Sequence, residues 1–379
     1  MKNFLNEISF GLNRLLRFPP VSFLLLFVPA TIAVFQANAC ADHLYDSVRS
    51  IFVTLLEWVN ELPGPIADLL GGDYGVVSML PFLFLYALPT ILIFSLLITV
   101  YKSTGLLENL SYGLHPFLKP FGLAGSDLVR VVMGFGCNIP AVVATRACSG
   151  CSRGTCISAI AFGSACSYQL SSTLALFAAA ELEWLAPVYM AVLAGTTLIY
   201  LRLRRPHFTR PGYPVAELPE PGRLRRPNWG IVIRETTQTM KEFIVMALPI
   251  FITICLISGA LNWAGIFNLI THLLSPVMAL FNLPSDAALS VALGSVRKDG
   301  IAIGLLDADW GTLKVALETP VQVLTIAFLA GVVLPCLGTV STVVREMGTA
   351  FAFKMLAKQA SFAVLCTLVI AWVGKLFML

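Results

Sequence analysis

The chain has 379 residues, of which 57% are hydrophobic and only 12% charged, with a mean hydropathy of +0.83. An ordinary soluble domain carries about twice that share of charge, so the composition excludes a soluble enzyme or a nucleic-acid partner and points to an all-α polytopic membrane protein. The net charge of +4 matters less than where the basic residues lie.

Residues 1–18 predict an interfacial amphipathic helix, with Phe4, Leu5, Ile8, Leu12, Leu15 and Leu16 at helical spacing and Lys2, Arg14 and Arg17 among the polar positions. The segment is too polar for a cleavable signal peptide. Residues 19–75 form a first span (about 21–39), ended on its N-terminal side by Pro19-Pro20, and an acidic loop (40–75) carrying Asp42, Asp46, Glu57, Glu61, Asp68 and Asp73. Residues 76–201 read as a first repeat: a span over 76–100, a broken apolar segment over 128–147, and spans over 157–180 and 185–201. Residues 202–241 are a proline-rich linker with nine basic and three acidic residues, which the positive-inside rule assigns to the cytoplasm. Residues 242–379 form a second repeat: a span over 243–263, a broken segment over 287–306, and spans over 321–344 and 355–378.

The breaks are Gly134-Phe135-Gly136-Cys137-Asn138-Ile139-Pro140 and Gly294-Ser295-Val296-Arg297-Lys298-Asp299-Gly300. Paired interruptions in two halves of a membrane protein point to a transporter's central site. Their freed backbone groups must be buried in protein or line a watery cavity. If each broken segment is a re-entrant hairpin, the N-terminus is cytoplasmic, the 40–75 loop is external and the repeats are inverted. Pro116 to Leu123 aligns with Pro276 to Leu283, and a Ser-Asp follows each (Ser126-Asp127, Ser285-Asp286).

Cys137, Cys166 and Cys336 each fall where an apolar segment is interrupted by Gly, Ser or Pro. Thiolates select soft transition metals over Mg(II) or Ca(II), although a membrane cysteine also packs as a small hydrophobe. Cys40, Cys255 and Cys366 are assigned to packing. Arg297-Lys298-Asp299 reads as a gate, with Asp299 accepting a metal or proton and Arg297 and Lys298 balancing it. The alternative is that these charges snorkel to the external interface. Cys148, Cys151 and Cys156 form an accessory cluster with C-x2-C spacing, suited to metal or redox sensing, or simply a small polar turn. No phosphate-cradling loop occurs and none of the four histidines falls in a predicted span.

The run Gly134 to Ala141, continuing to Ala144-Thr145-Arg146, resembles the GFGCNVPA and ATR signature of the membrane domain of ferrous iron transport protein B. Leu334-Pro335-Cys336 with Arg345-Glu346 resembles the family's second cysteine region. Ser295 to Asp299 is similar to its FxRKE element, with Asp299 in place of Glu. The likeness runs loosely from about residue 20 to the end. It implies nucleoside-recognition or gate domains, shared distantly with concentrative nucleoside transporters. It also implies Fe(II) import across the bacterial inner membrane, with Cys137, Cys166 and Cys336 as path residues.

Three departures stand out. The family's N-terminal G domain has no counterpart, so a standalone relative is expected. Lys102-Ser103-Thr104-Gly105 replaces an acidic element, and Cys148 to Cys156 replace a charged turn.

The reading is therefore a multi-pass permease, not an enzyme, with no permanent cofactor and Fe(II) as cargo. Asn138 and Ser167 add oxygen donors to the thiol path. Lipid, a separate GTPase or small SH3-like accessory protein, and further copies of the chain are the expected partners. The alternatives are a nucleoside or small-solute transporter and a non-transporting metal or redox sensor.

Overall fold

The computed structural model describes residues 51–72, 75–81, 88–148, 152–204, 224–298, 300–306 and 315–377, together with scattered positions elsewhere. Most of the expected interfacial helix (1–18) and of the first span (21–39) lies outside the described residues. Among the described residues the elements are helices, apart from an isolated antiparallel bridge between Leu306 and Leu313.

The acidic loop carries α1 (Ile51–Asn60) and α2 (Gly64–Gly71). The first half then runs through α3 (Val76–Pro81), α4 (Leu88–Thr104), α5 (Leu106–Leu118), α6 (Gly125–Met133), α7 (Asn138–Ala144), α8 (Arg153–Gly163), α9 (Ser167–Ala179) and α10 (Leu185–Arg204). The basic linker ends in α11 (Trp229–Glu242), which continues through a π turn (Phe243–Ala247) into α12 (Leu248–Trp263). The second half follows with α13 (Ile266–Met278), α14 (Ala288–Val296), α15 (Gly300–Leu305), α16 (Pro320–Val332), α17 (Leu337–Met347) and α18 (Thr349–Phe377).

The repeat is visible in the caps. Gly105 and Gly265 precede α5 and α13 with φ of 75° and 70°, a left-handed conformation that glycine adopts without a Cβ penalty. Both helices contain a proline near the end (Pro116, Pro276) and tighten into a 3-10 turn, Lys119–Phe121 or Ala279–Phe281. Each then stops at a left-handed residue, Gly122 (φ 76°) or Asn282 (φ 54°). The Leu123 N–H returns to Leu118 O at 3.4 Å, and the Leu283 N–H to Met278 O at 3.1 Å. Even the closing spans agree: Arg202 on α10 donates to Pro120 O (2.9 Å), and Trp372 on α18 donates to Leu280 O (3.1 Å).

Polar contacts also fix the inversion. Gln322, at the start of α16, donates to Asn282 O at 2.9 Å, so that span begins beside the base of the second hairpin. The α16–α17 stretch, 28 residues from Pro320 to Met347, is long enough to cross a membrane. It ends at Glu346, which meets Arg146 (2.5 Å) and Arg153 (2.7 Å) at the base of the first hairpin. The two hairpin bases therefore lie at opposite ends of the bundle.

Three described stretches are long and apolar enough to span: Leu185–Arg204, Pro320–Met347 and Thr349–Leu376. The spans expected over 157–180 and 321–344 are each broken at the interruptions that hold Cys166 and Cys336, because Ser164 to Cys166 and Val333 to Cys336 leave the helical path. The expected linker over 202–241 is also shorter than its polarity suggested: α10 runs to Arg204, and α11 begins at Trp229 behind an Asn228 side-chain cap. Between the halves, the buried rings of Phe162 and Tyr200 and the partly buried ring of Phe362 pack with centroids 4.7 to 5.6 Å apart, joining α8, α10 and α18.

Candidate functional site: two hairpin tips against two broken spans

The first hairpin, α6 and α7, turns at Gly134 to Cys137 and rests on the break between α8 and α9. Helix termini leave backbone groups without intrahelical partners, so a helix ended inside a membrane bundle must find them elsewhere. Here hydroxyls supply them. Ser164 Oγ donates to Val131 O (2.7 Å), while Ser167 donates through both Oγ (2.9 Å) and its N–H (3.1 Å) to Gly136 O. The approach is close: a Cβ on Gly134 would sit 2.6 Å from the Ser164 side chain.

The second hairpin, α14 and α15, meets the break between α16 and α17 differently. Pro335 has no N–H and ends the upstream helical ladder. Lys298, at the hairpin tip, is 3% exposed and donates to Ala330 O (3.1 Å) and Leu334 O (2.5 Å). Its ammonium serves carbonyls at the end of α16 and in the break, so it does not snorkel to an interface. Arg297 places Nη1 2.6 Å from Cys255 Sγ. Cys255, assigned to packing from its apolar surroundings, thus lies against the gate charge. Asp299 lies outside the described residues.

One amide ties the two breaks together. Gln359 on α18, fully buried, donates through Nε2 to Ala161 O (3.1 Å) and Val332 O (3.0 Å). These carbonyls belong to the last turns before the two breaks. A lone glutamine in an apolar run gave no periodicity signal; its polarity at that depth was the available clue.

Cys137, Cys166 and Cys336 occupy equivalent positions, each the N-cap residue of the helix after a break, α7, α9 and α17. Cys137 lies within electrostatic reach of Cys166 and Cys336, and the Lys298 ammonium within reach of Cys336 and Cys166. Cys137 packs with Tyr168, Ile139 and Leu88 around Phe243, and Cys336 Sγ lies 3.1 Å from Thr339 Oγ1. Asn138 is 3% exposed, and its Oδ1 has no hydrogen-bond partner among the described residues, an acceptor free to receive a cation or a donor. The three thiols do not form a closed ligand set. Among the described residues the group of His, Cys, Asp or Glu ligand atoms lying within 4.8 Å of one another is Asp127, Cys148 and Cys156. Cys40 and Cys151 lie outside the described residues.

A polar residue near the first break is already engaged. Gln169 donates to Tyr189 OH at 2.8 Å in the core, and it packs against Gly331, where a Cβ would lie 2.7 Å from its Nε2. The Arg146–Glu346–Arg153 cluster, absent from the candidate site residues, links the end of the second broken span to the base of the first hairpin.

Against known proteins, the nucleoside-recognition family named Gate matches residues 84–180 and 244–350, more than half of the chain. The Fe(2+) transporter FeoB of Legionella pneumophila (strain Lens) is 25% identical over 323 residues, covering 76% of this chain and 41% of its own length. The chain thus spans less than half of that relative. A Fe(2+) transport protein A/Fe(2+) transporter FeoB fusion protein of Porphyromonas gingivalis (strain ATCC BAA-308 / W83) is 31% identical over 81 residues, 21% of this chain and 9% of the relative. Among solved structures, CNTnw in an inward-facing substrate-bound state shares the fold with a TM-score of 0.50 at 18% identity, covering 96% of this chain and 89% of that one. The protein is an all-α polytopic membrane protein with FeoB-like sequence.

Proposed function

The chain belongs to the nucleoside-recognition (Gate) family, and we propose that within it this protein passes a divalent transition metal, Fe(II) foremost, across the bacterial inner membrane. The observation that carries this reading is the convergence of Cys137, Cys166 and Cys336 from three separate breaks into one electrostatic neighbourhood. Thiol sulfur favours such metals, and ligands spread along a path rather than closed into a cage let an ion leave as readily as it enters. Asn138 Oδ1 and the Ser167 hydroxyl add oxygen donors, and Lys298 is a tethered cation at the second break that an incoming ion must pass. Asp299, next to Lys298 in sequence, is the carboxylate assigned to that gate in this reading, with Arg297 as its balancing charge.

Arg202, Arg204, Arg146 and Arg153 share one end of the bundle, and the sequence that follows Arg204 is basic, which supports a cytoplasmic assignment for that end and for the N-terminus. No resident cofactor is required. Transport protein A joined to FeoB in the Porphyromonas gingivalis relative supports a small accessory protein as partner; a separate GTPase is the companion expectation.

The test is uptake by the purified chain in liposomes, under anaerobic reducing conditions, with Fe(II) and uridine as competing solutes. Fe(II) flux unaffected by uridine is expected. Uridine flux without Fe(II) flux would replace this reading with the nucleoside one, which the family description and the CNTnw-like fold favour. Engagement of Gln169 in the core argues against that second reading.

A further inference from the structure

We infer that the base of the first hairpin carries a second, separate soft-metal site, formed by Asp127, Cys148 and Cys156. The ligand atoms of these three residues lie within 4.8 Å of one another. They come from three places: Asp127 from α6, Cys148 from the turn after α7, and Cys156 from α8. The first arm of the hairpin, the end of its second arm and the opening half of the broken span therefore meet at one point.

The group is pre-organised and shielded. Asp127 is 1% exposed and Cys156 is fully buried. Asp127 Oδ2 accepts the Ala124 N–H at 2.9 Å, which fixes the carboxylate while leaving Oδ1 turned towards Arg130 at 3.4 Å. Cys156 Sγ lies 3.7 Å from Asp127 O, and the thiols of Cys148 and Cys156 are in hydrogen-bond contact. A tetrahedral centre with sulfur ligands at about 2.3 Å and an oxygen ligand at about 2.1 Å holds its ligand atoms roughly 3.5 to 3.8 Å apart, inside the 4.8 Å within which these three already lie.

Charge also fits a divalent cation. Two thiolates and a carboxylate carry three negative charges, and the metal with the Arg130 guanidinium balances them. On binding, each thiol releases its proton to solvent as its sulfur takes up the metal. Two sulfurs and one oxygen select Zn(II), Fe(II) or Co(II) over Mg(II) and Ca(II), and they leave a fourth position for water. Loaded, the site would pin the hairpin base to α8 at the end of the bundle that carries Arg202 and Arg204. Arg204 itself bonds Ser158, two residues beyond Cys156, at 2.6 Å.

The experiment is a Co(II) titration of the full chain in detergent, read by thiolate-to-cobalt absorbance. It uses a background in which Cys137, Cys166 and Cys336 are serine, so the outcome is independent of the path proposed above. This background should still bind a single equivalent of Co(II) with the sulfur band. Adding Cys148→Ser should remove the band, and Asp127→Asn, which can still cap Ala124, should weaken binding at least about tenfold. Cys148 is half-buried, so its serine variant serves where a change at buried Cys156 would not fold. As a second measurement, Cys148→Ser in the otherwise unaltered chain should lower bound Co(II) by a single equivalent. A sulfur band that survives Cys148→Ser, or never forms in the triple-serine background, overturns the assignment.

Discussion

The two hairpin tips face the same physical problem and solve it with different chemistry. Each must satisfy carbonyls and amides that a broken helix frees at membrane depth. The first half does so with neutral hydroxyls, Ser164 and Ser167, each within 3.1 Å of a hairpin carbonyl. The second half uses a buried ammonium, Lys298, on Ala330 O and Leu334 O. An inverted repeat thus keeps its backbone geometry while placing a fixed positive charge at only one of the two seals. Cys166 and Cys336 lie within electrostatic reach of that charge, so under the proposed transport of a cation the second tip would be its control point.

The largest expected effect tests whether the thiols belong to the path at all. Cys137→Ser combined with Cys336→Ser should bring Fe(II) uptake in liposomes to the protein-free background, with the folded fraction unchanged by size exclusion. Unchanged flux in that double variant would break the functional half of the comparison.

The next sharpens the contrast between the seals. Lys298→Met leaves two buried carbonyls without a donor and should cost about 3 kcal/mol, whereas Ser164→Ala should cost about 1 kcal/mol. Thermal unfolding of the two variants side by side measures the gap; equal shifts would mean the charged seal carries no extra weight.

Gly134→Ala probes the fit of the first tip. Its new Cβ would lie 2.6 Å from both Cβ and Oγ of Ser164, so turning the hydroxyl does not clear it and the hairpin must lift, at about 2 kcal/mol. Uptake should fall with stability, and pairing it with Ser164→Gly, which removes the clashing Cβ, should recover part of the loss.

The smallest effect falls at the outer edge. Glu346→Gln removes ion pairs to Arg146 and Arg153, one of them well exposed, so about 1 kcal/mol or less is expected, shrinking as salt is raised. A salt-independent loss would show that the latch is more enclosed than its geometry indicates.

The paired breaks were legible because Gly, Pro and charge inside apolar runs are local violations of a simple pattern. The Pro116 and Pro276 alignment extends in the structure to matched caps at Gly105 and Gly265 and at Gly122 and Asn282. The interruption at Cys166 was legible from its small neighbours, but how far the helix breaks there was not, since those residues keep the hydropathy high. Gln359, the Cys255–Arg297 contact and the Arg146–Glu346–Arg153 cluster were not found, because each joins residues far apart in sequence that carry no periodic signal.

By itself the sequence determined the solvent this chain folds in, the two interruptions and the residues with unusual chemistry, since these follow from transfer energies and backbone rules that act locally. Which carbonyl each polar side chain meets was decided only by tertiary structure. A freed backbone group in a membrane takes whatever donor the packing brings near, and packing joins Lys298 to residue 334, Gln359 to residue 161 and Asp127 to Cys156 across many helical turns.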